Sequence, residues 1–191
     1  MTTFRGLPAL LRNRFVWVAV VLLAVSTTAV VLLRTQDAAG RPEDLRGQLT
    51  TRLVALLEQL PPDQHQGHGH HAGASPGPAP TVVCGVRVFG FEPADATTVS
   101  AVDTVYAFHF CGVAEQGTPW DWAVKLVGPV VVGLTTNPPS VQVAQATETV
   151  SFRDRVQQLF PERYREDAVN ESLGEEGMRD LRRRYEKAAR V

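Results

Sequence analysis

The chain has 191 residues, and its 19 Lys and Arg side chains nearly balance its 20 Asp and Glu side chains, which leaves a net charge of −1. A near-neutral chain lacks the basic footprint of a nucleic-acid-binding protein, so we expect no nucleic-acid partner. Arginine outnumbers lysine seventeen to two, as in proteins from GC-rich bacterial genomes, and no catalytic or nucleotide-binding motif is evident.

Residues 15–33 read FVWVAVVLLAVSTTAVVLL and contain no charge, proline or glycine. As a helix this stretch is about 28 Å long, close to the roughly 30 Å hydrocarbon core of a bilayer. Arg5, Arg12 and Arg14 precede it without an acidic residue among them, which favours a cytoplasmic amino end. We therefore predict a single-pass transmembrane helix in the lipid bilayer of the cell membrane, with residues 1–14 as a cytoplasmic tail.

A cleaved secretory signal is the alternative for this stretch, because the small residues 27–29 could form a processing site. The apolar run is longer than the roughly 7 to 15 residues of a signal core. Under either interpretation the remainder of the chain is exported, and its length suits one domain.

A helix is predicted next, and residues 34–62 are interpreted as a juxtamembrane helical stalk. Pro42 favours a helix start, and two prolines after residue 60 end the helix. Its apolar stripe comprises Leu45, Leu49, Leu53, Leu56 and Leu60. The stripe either packs on the following domain or forms a coiled coil in a homodimer, and packing is favoured because the heptads are few.

Residues 63–80 are rich in Gly, Pro and His and are interpreted as a flexible linker. Four of its side chains could bind Zn²⁺, Cu²⁺ or Ni²⁺ through neutral imidazoles: His65, His68, His70 and His71. No cysteine or carboxylate cluster accompanies them, so any site would be weak.

Residues 81–191 are predicted to form the extracytoplasmic domain. Val82 to Phe91 and Thr104 to Val113 have the β-branched and aromatic content of strands. Cys84 and Cys111 are the only cysteines, one in each strand, and we expect them to form a disulfide in the oxidising compartment.

An antiparallel pair that places these cysteines opposite one another makes facing residue numbers sum to 195. Val86 would then face His109, and Phe91 would face Thr104. Tyr106, Phe108 and Phe110 would lie on the other surface of the sheet from the disulfide.

The next predicted strand includes Trp120 and Trp122, because apolar residues alternate with polar ones from Trp120 onward. Its tryptophans are expected in the core, with a patch for a partner or carbohydrate as the alternative. Gly128 and Pro129 then indicate either a hairpin or a bulge. A last strand is expected over Val141 to Thr147.

Ser151 and Asp154 predict a capped helix with a stripe of Phe152, Val156, Leu159 and Phe160. A final helix over Glu175 to Arg190 has the stripe Met178, Leu181, Tyr185 and Ala188. The domain is therefore expected to be α+β, with four or five antiparallel strands and C-terminal helices on one face.

Three functions follow from this reading. The first is a membrane-anchored bacterial envelope protein whose non-catalytic exported domain binds a protein partner or another copy of itself. The second is a metal-binding protein that uses the linker histidines. The third is a hydrolase built around His109, although no nucleophile or carboxylate partner for this histidine is evident in the sequence.

Overall fold

The computed structural model describes residues 42–62 and 81–191. The predicted membrane span and the histidine linker lie outside the described residues. From Leu45 onward the chain forms one compact unit, an α+β arrangement as predicted. Within the described ranges, no helix is long and apolar enough to cross a membrane.

Four strands form one antiparallel sheet in the order β1-β2-β3-β4, with the bounds β1 Thr81–Glu92, β2 Thr104–Ala114, β3 Val124–Gly133 and β4 Ser140–Val143. The helices are α1 Pro42–Gln59, α2 Phe152–Leu159, α3 Arg165–Asn170 and α4 Gly174–Ala189. Each strand therefore pairs with the next one along the chain, as short connections favour.

The predicted register holds over the first part of the β1–β2 pair and then fails. Cys84 lies opposite Cys111, and Val86 lies opposite His109. A bulge between Val88 and Gly90 inserts Phe89 into β1, so that Phe91 faces Val105 instead of Thr104. One extra residue in a strand shifts every later pair by one, and the sequence pattern carried no signal for it.

The predicted last two strands also need correction. β3 runs without interruption through Gly128 and Pro129, which face His109 and Phe108. β4 ends at Val143. Ala144 still donates its N–H to the carbonyl of Pro129, but Pro129 has no N–H with which to continue the ladder.

Helix α1 packs on the disulfide face of the sheet, the first of the two alternatives for its leucine stripe. Four leucines spaced four residues apart are buried there: Leu45, Leu49, Leu53 and Leu57. Leu57 thus takes the place predicted for Leu56, which is only partly buried. Because α1 supplies part of the core, the folded domain begins well before residue 81.

The C-terminal helices cover the opposite face of the sheet. Ser151 caps α2 by accepting the N–H of Asp154 and donating its hydroxyl to the same carboxylate, as predicted. Val156 of α2 and Phe160, the residue that follows α2, are buried, and α4 buries Leu181, Tyr185 and Ala189. Ala189 replaces the predicted Ala188. The C-terminal helices thus cover one face, as predicted, and α1 covers the other.

Contacts between α1 and β1 show in which direction the helix runs relative to the strand. Glu58, near the end of α1, contacts the backbone of Cys84, near the start of β1. Val54 and Thr50, one and two turns earlier, line the same groove as Gly85, Val86 and Arg87. Helix α1 therefore runs opposite to β1, and its last turn lies at the end of the sheet where β3 begins.

Candidate functional site

The β1 edge of the sheet is closed at Cys84 by side chains from the helices on both faces. The N–H of Cys84 donates to Glu58 Oε1 at 2.9 Å, and the carbonyl of Cys84 accepts from Arg184 Nη2. Arg184 Nη1 also binds Glu58 Oε1 at 2.9 Å, which joins α4 to α1 across the strand. At Cys84 the main-chain groups of this edge strand are therefore satisfied and protected from pairing with another chain.

The disulfide predicted from the sequence lies directly behind this closed edge. Cys84 and Cys111 have their sulfur atoms 2.07 Å apart and their Cα atoms 4.1 Å apart. Such a short Cα separation is typical of the non-hydrogen-bonded pairs of an antiparallel ladder. The main-chain groups of Cys84 consequently point outward, where Glu58 and Arg184 bind them.

A groove with a volume of about 230 Å³ lies next to the Glu58–Arg184 pair, between α1 and α4. Its walls include the guanidinium groups of Arg87 and Arg184 and the carboxylate of Asp180. These charges already form ion pairs, because Arg87 binds Glu171 at 3.1 Å and Arg184 binds Asp180 at 3.1 Å. The groove therefore offers little unbalanced charge to a ligand.

The other edge of the sheet is open over the first half of β3. Strand β4 pairs only with residues 130–133, and Ala144 extends the contact to Pro129. Main-chain groups two residues apart in a strand point to the same side, so those of Val127 and Lys125 point outward as those of Pro129 do. Within residues 42–62 and 81–191, no strand pairs with residues 124–127 on this side.

Apolar side chains are exposed along this open edge and just before it. Trp122 has 84% of its surface exposed, Val124 has 56% and Val127 has 38%. Single exposed apolar side chains are common on protein surfaces, so the informative feature here is their position beside an unpaired strand edge. We call Trp122 together with residues 124–127 the β3 edge surface.

The turn that carries Trp122 is fixed by several contacts. Residues Trp120–Trp122 form a short 3₁₀ turn. The ammonium group of Lys125 donates to the carbonyls of Trp120 at 2.7 Å and Ala123 at 3.1 Å. Lys125 also lies 5.1 Å from the centre of the Trp120 ring, a cation–π distance.

The Trp120 ring anchors this turn in the core. It lies against the rings of Phe110 at 5.9 Å and Tyr185 at 5.1 Å. The Tyr185 hydroxyl donates to the carbonyl of Thr118 at 2.9 Å, and burial followed by the nearby charge of Glu115 raises the pKa of Tyr185. The hydroxyl therefore stays protonated and able to donate this hydrogen bond.

The prediction for the two tryptophans was thus half right. Trp120 is buried, whereas Trp122 is exposed. Both were assigned to one strand because the residues from Trp120 onward alternate, but strand β3 begins only at Val124. In a 3₁₀ turn successive side chains are about 120° apart, so residues two apart do not share a face as they do in a strand.

His109 is fully buried. Its Nδ1 lies 2.8 Å from the carbonyl of Gly128, the residue opposite it in β3. A catalytic base must reach a substrate, and solvent does not reach this imidazole. Its position on the disulfide face, opposite Val86, agrees with the register predicted from the sequence.

The predicted metal ligands His65, His68, His70 and His71 lie outside the described residues. In residues 42–62 and 81–191, no group of three or more His, Cys, Asp or Glu side chains is arranged to hold a metal ion. The metal-binding hypothesis therefore stays a prediction from the sequence.

Comparisons with protein-family models, with curated proteins and with solved structures find no match to this chain.

Proposed function

We propose that this protein is a single-pass, membrane-anchored bacterial envelope protein whose extracytoplasmic domain binds a protein partner. The observation that carries the proposal is Trp122, a large apolar side chain that is 84% exposed on a turn held by hydrogen bonds and ring contacts. Tryptophan is prominent among residues that dominate binding energy at interfaces. Because the turn is already held in place, less conformational entropy is lost when Trp122 binds a partner.

The anchor and its direction come from residues 15–33 and the arginines before them. The Cys84–Cys111 disulfide supports the exported location of the domain, because disulfides persist in oxidising compartments and are rare in the bacterial cytoplasm. Only eight residues, 34–41, separate the predicted span from α1.

A photo-crosslinking residue at position 122 of the full chain, produced in its native membrane, tests this function. We expect it to capture a specific protein, whereas the same residue at position 169, another exposed apolar site, does not. Equal products from both positions, or none from either, contradict the proposal. Protease treatment of intact spheroplasts should also digest the domain and leave the amino-terminal residues in the membrane.

Metal binding by His65, His68, His70 and His71 is the second candidate. The hydrogen bond between Glu58 and the N–H of Cys84 supports it, because it holds the flanks of residues 63–80 near one another. When the two ends of a segment are held near one another, the four imidazoles within it cannot move far apart. Titration of the full chain with Zn²⁺ should lose its signal when all four histidines are replaced by alanine, and an unchanged affinity argues against the site.

The hydrolase alternative rests on His109. This imidazole is fully buried, so solvent does not reach it.

A further inference from the structure

We propose that the β3 edge surface binds an extended segment of its protein partner as an added strand, with Trp122 as the apolar anchor. This inference rests on the proposed function and specifies how the partner is bound. It concerns the main-chain groups of Lys125 and Val127, which point away from β2 and have no strand beside them in the described ranges.

The chemistry of these groups selects an extended backbone. An N–H and a C=O from each of two residues, repeated about 6.8 Å apart along the strand, match the donors and acceptors of another strand. A helix satisfies its own main-chain groups and cannot match this spacing. Addition of a strand to a sheet edge is an established mode of peptide recognition, in which main-chain bonds give affinity and side chains give specificity.

The dimensions of the open edge favour a narrow segment over a second copy of the domain. The turn that carries Trp122 bounds the edge at one end, and Ala144, bound to the carbonyl of Pro129, bounds it at the other. Two copies paired through residues 124–127 would each bring their own Ala144 segment against the Trp122 turn of the other. A single strand without such flanking structure avoids this clash.

The exposed side chains specify the chemistry of that segment. Val127 lies opposite Phe110 in the sheet, and Phe110 stacks on Trp120. A docked strand would place alternate side chains beside Val127, where apolar or β-branched residues fit best. The partner segment is therefore extended and apolar at alternate positions, with a neighbouring group that covers Trp122.

The two lysines of the chain, Lys125 and Lys187, make a direct test possible. The full chain, labelled with ¹⁵N-lysine and held in phospholipid nanodiscs, gives two lysine amide signals, one from the open edge and one from α4 as an internal control. The probe is a blocked hexapeptide of alternating threonine and valine. Its matched control carries N-methyl groups on alternate residues and cannot donate to a strand edge.

We expect the Lys125 signal to shift saturably with the unmodified peptide, with a Kd on the order of 1 mM, while Lys187 stays in place. The N-methylated peptide should bind at least about tenfold more weakly, since it loses main-chain hydrogen bonds. Replacement of Trp122 by alanine should weaken binding about tenfold or more. Val169→Ala, at another exposed apolar site, should leave it unchanged.

Three results would overturn the inference. The Lys125 signal does not move, or it moves equally with both peptides, or its amide exchanges slowly with deuterium in the free chain because the edge is already covered. The Lys187 signal reports in every case whether the domain is folded. If these tests fail while position 122 still crosslinks to a specific protein, partner binding survives and only the added-strand mode is lost.

Discussion

The two edges of the sheet differ in whether their outward main-chain groups have hydrogen-bond partners. At β1, Glu58 and Arg184 reach from opposite faces and bind the N–H and C=O of Cys84. At the first half of β3, no described strand pairs with the outward groups of Lys125 and Val127, and the apolar side chains of Trp122, Val124 and Val127 are exposed. An edge left open is a liability for solubility. One edge is thus built for stability and the other has the properties of a contact surface.

This contrast predicts that substitutions at the closed edge mainly change stability and that replacement of Trp122 at the open edge mainly changes binding. Among the substitutions at the closed edge, the largest effect on stability is expected at the disulfide. Replacing both Cys84 and Cys111 by alanine removes a cross-link between residues 27 positions apart. The unfolded chain then gains conformational entropy, which lowers the free energy of unfolding by about 3.5 kcal/mol in the chain-entropy model. Urea unfolding of the full chain should show this loss. A change below about 1 kcal/mol would mean that the bond constrains the unfolded chain much less than the model requires.

Arg184→Met should have the next largest effect, because it leaves the carbonyl of Cys84 and the carboxylate of Glu58 without their guanidinium partner. The side chains are about one-third exposed, so solvent compensates in part and we expect a loss of about 1 to 2 kcal/mol. Arg183→Met is the matched control, since Arg183 is 76% exposed and its ion pair within the described residues is with Asp180 on its own helix. Equal losses for both variants would show that the contact across β1 adds nothing.

Lys125→Met tests how firmly the Trp120–Trp122 turn is held beside the open edge. The ammonium group binds two carbonyls of the Trp120 turn, and its removal should cost about 1 kcal/mol. Hydrogen exchange of the Trp122 and Ala123 amides, which bond to Pro119 and Trp120, should become faster. Unchanged exchange would mean that the packing of Trp120 alone holds the turn.

The smallest effect on stability is expected for Trp122→Ala, at less than about 0.5 kcal/mol, because an exposed side chain gains little from folding. The same substitution should abolish crosslinking to a partner from neighbouring positions. Trp120→Ala is the informative contrast, since that ring is buried and its loss should cost about 3 to 5 kcal/mol. If both variants destabilise the domain equally, Trp122 belongs to the core in solution and the open edge is smaller than described.

The sequence by itself determined the strands that carry Cys84 and Cys111, their pairing and the face occupied by His109, because alternation with period two links all of these once the cysteines are set opposite one another. It also determined the Ser151 cap, since that signal is local.

Tertiary structure alone decided the rest. The bulge at Phe89 shifts the register without any change in local pattern. The WDW segment alternates like a strand, yet it forms a 3₁₀ turn whose second tryptophan is exposed. The Glu58–Arg184 contact joins residues 126 positions apart. Whether an edge is closed or open depends on such distant contacts and on where β4 ends, and no periodicity within one segment records either of them.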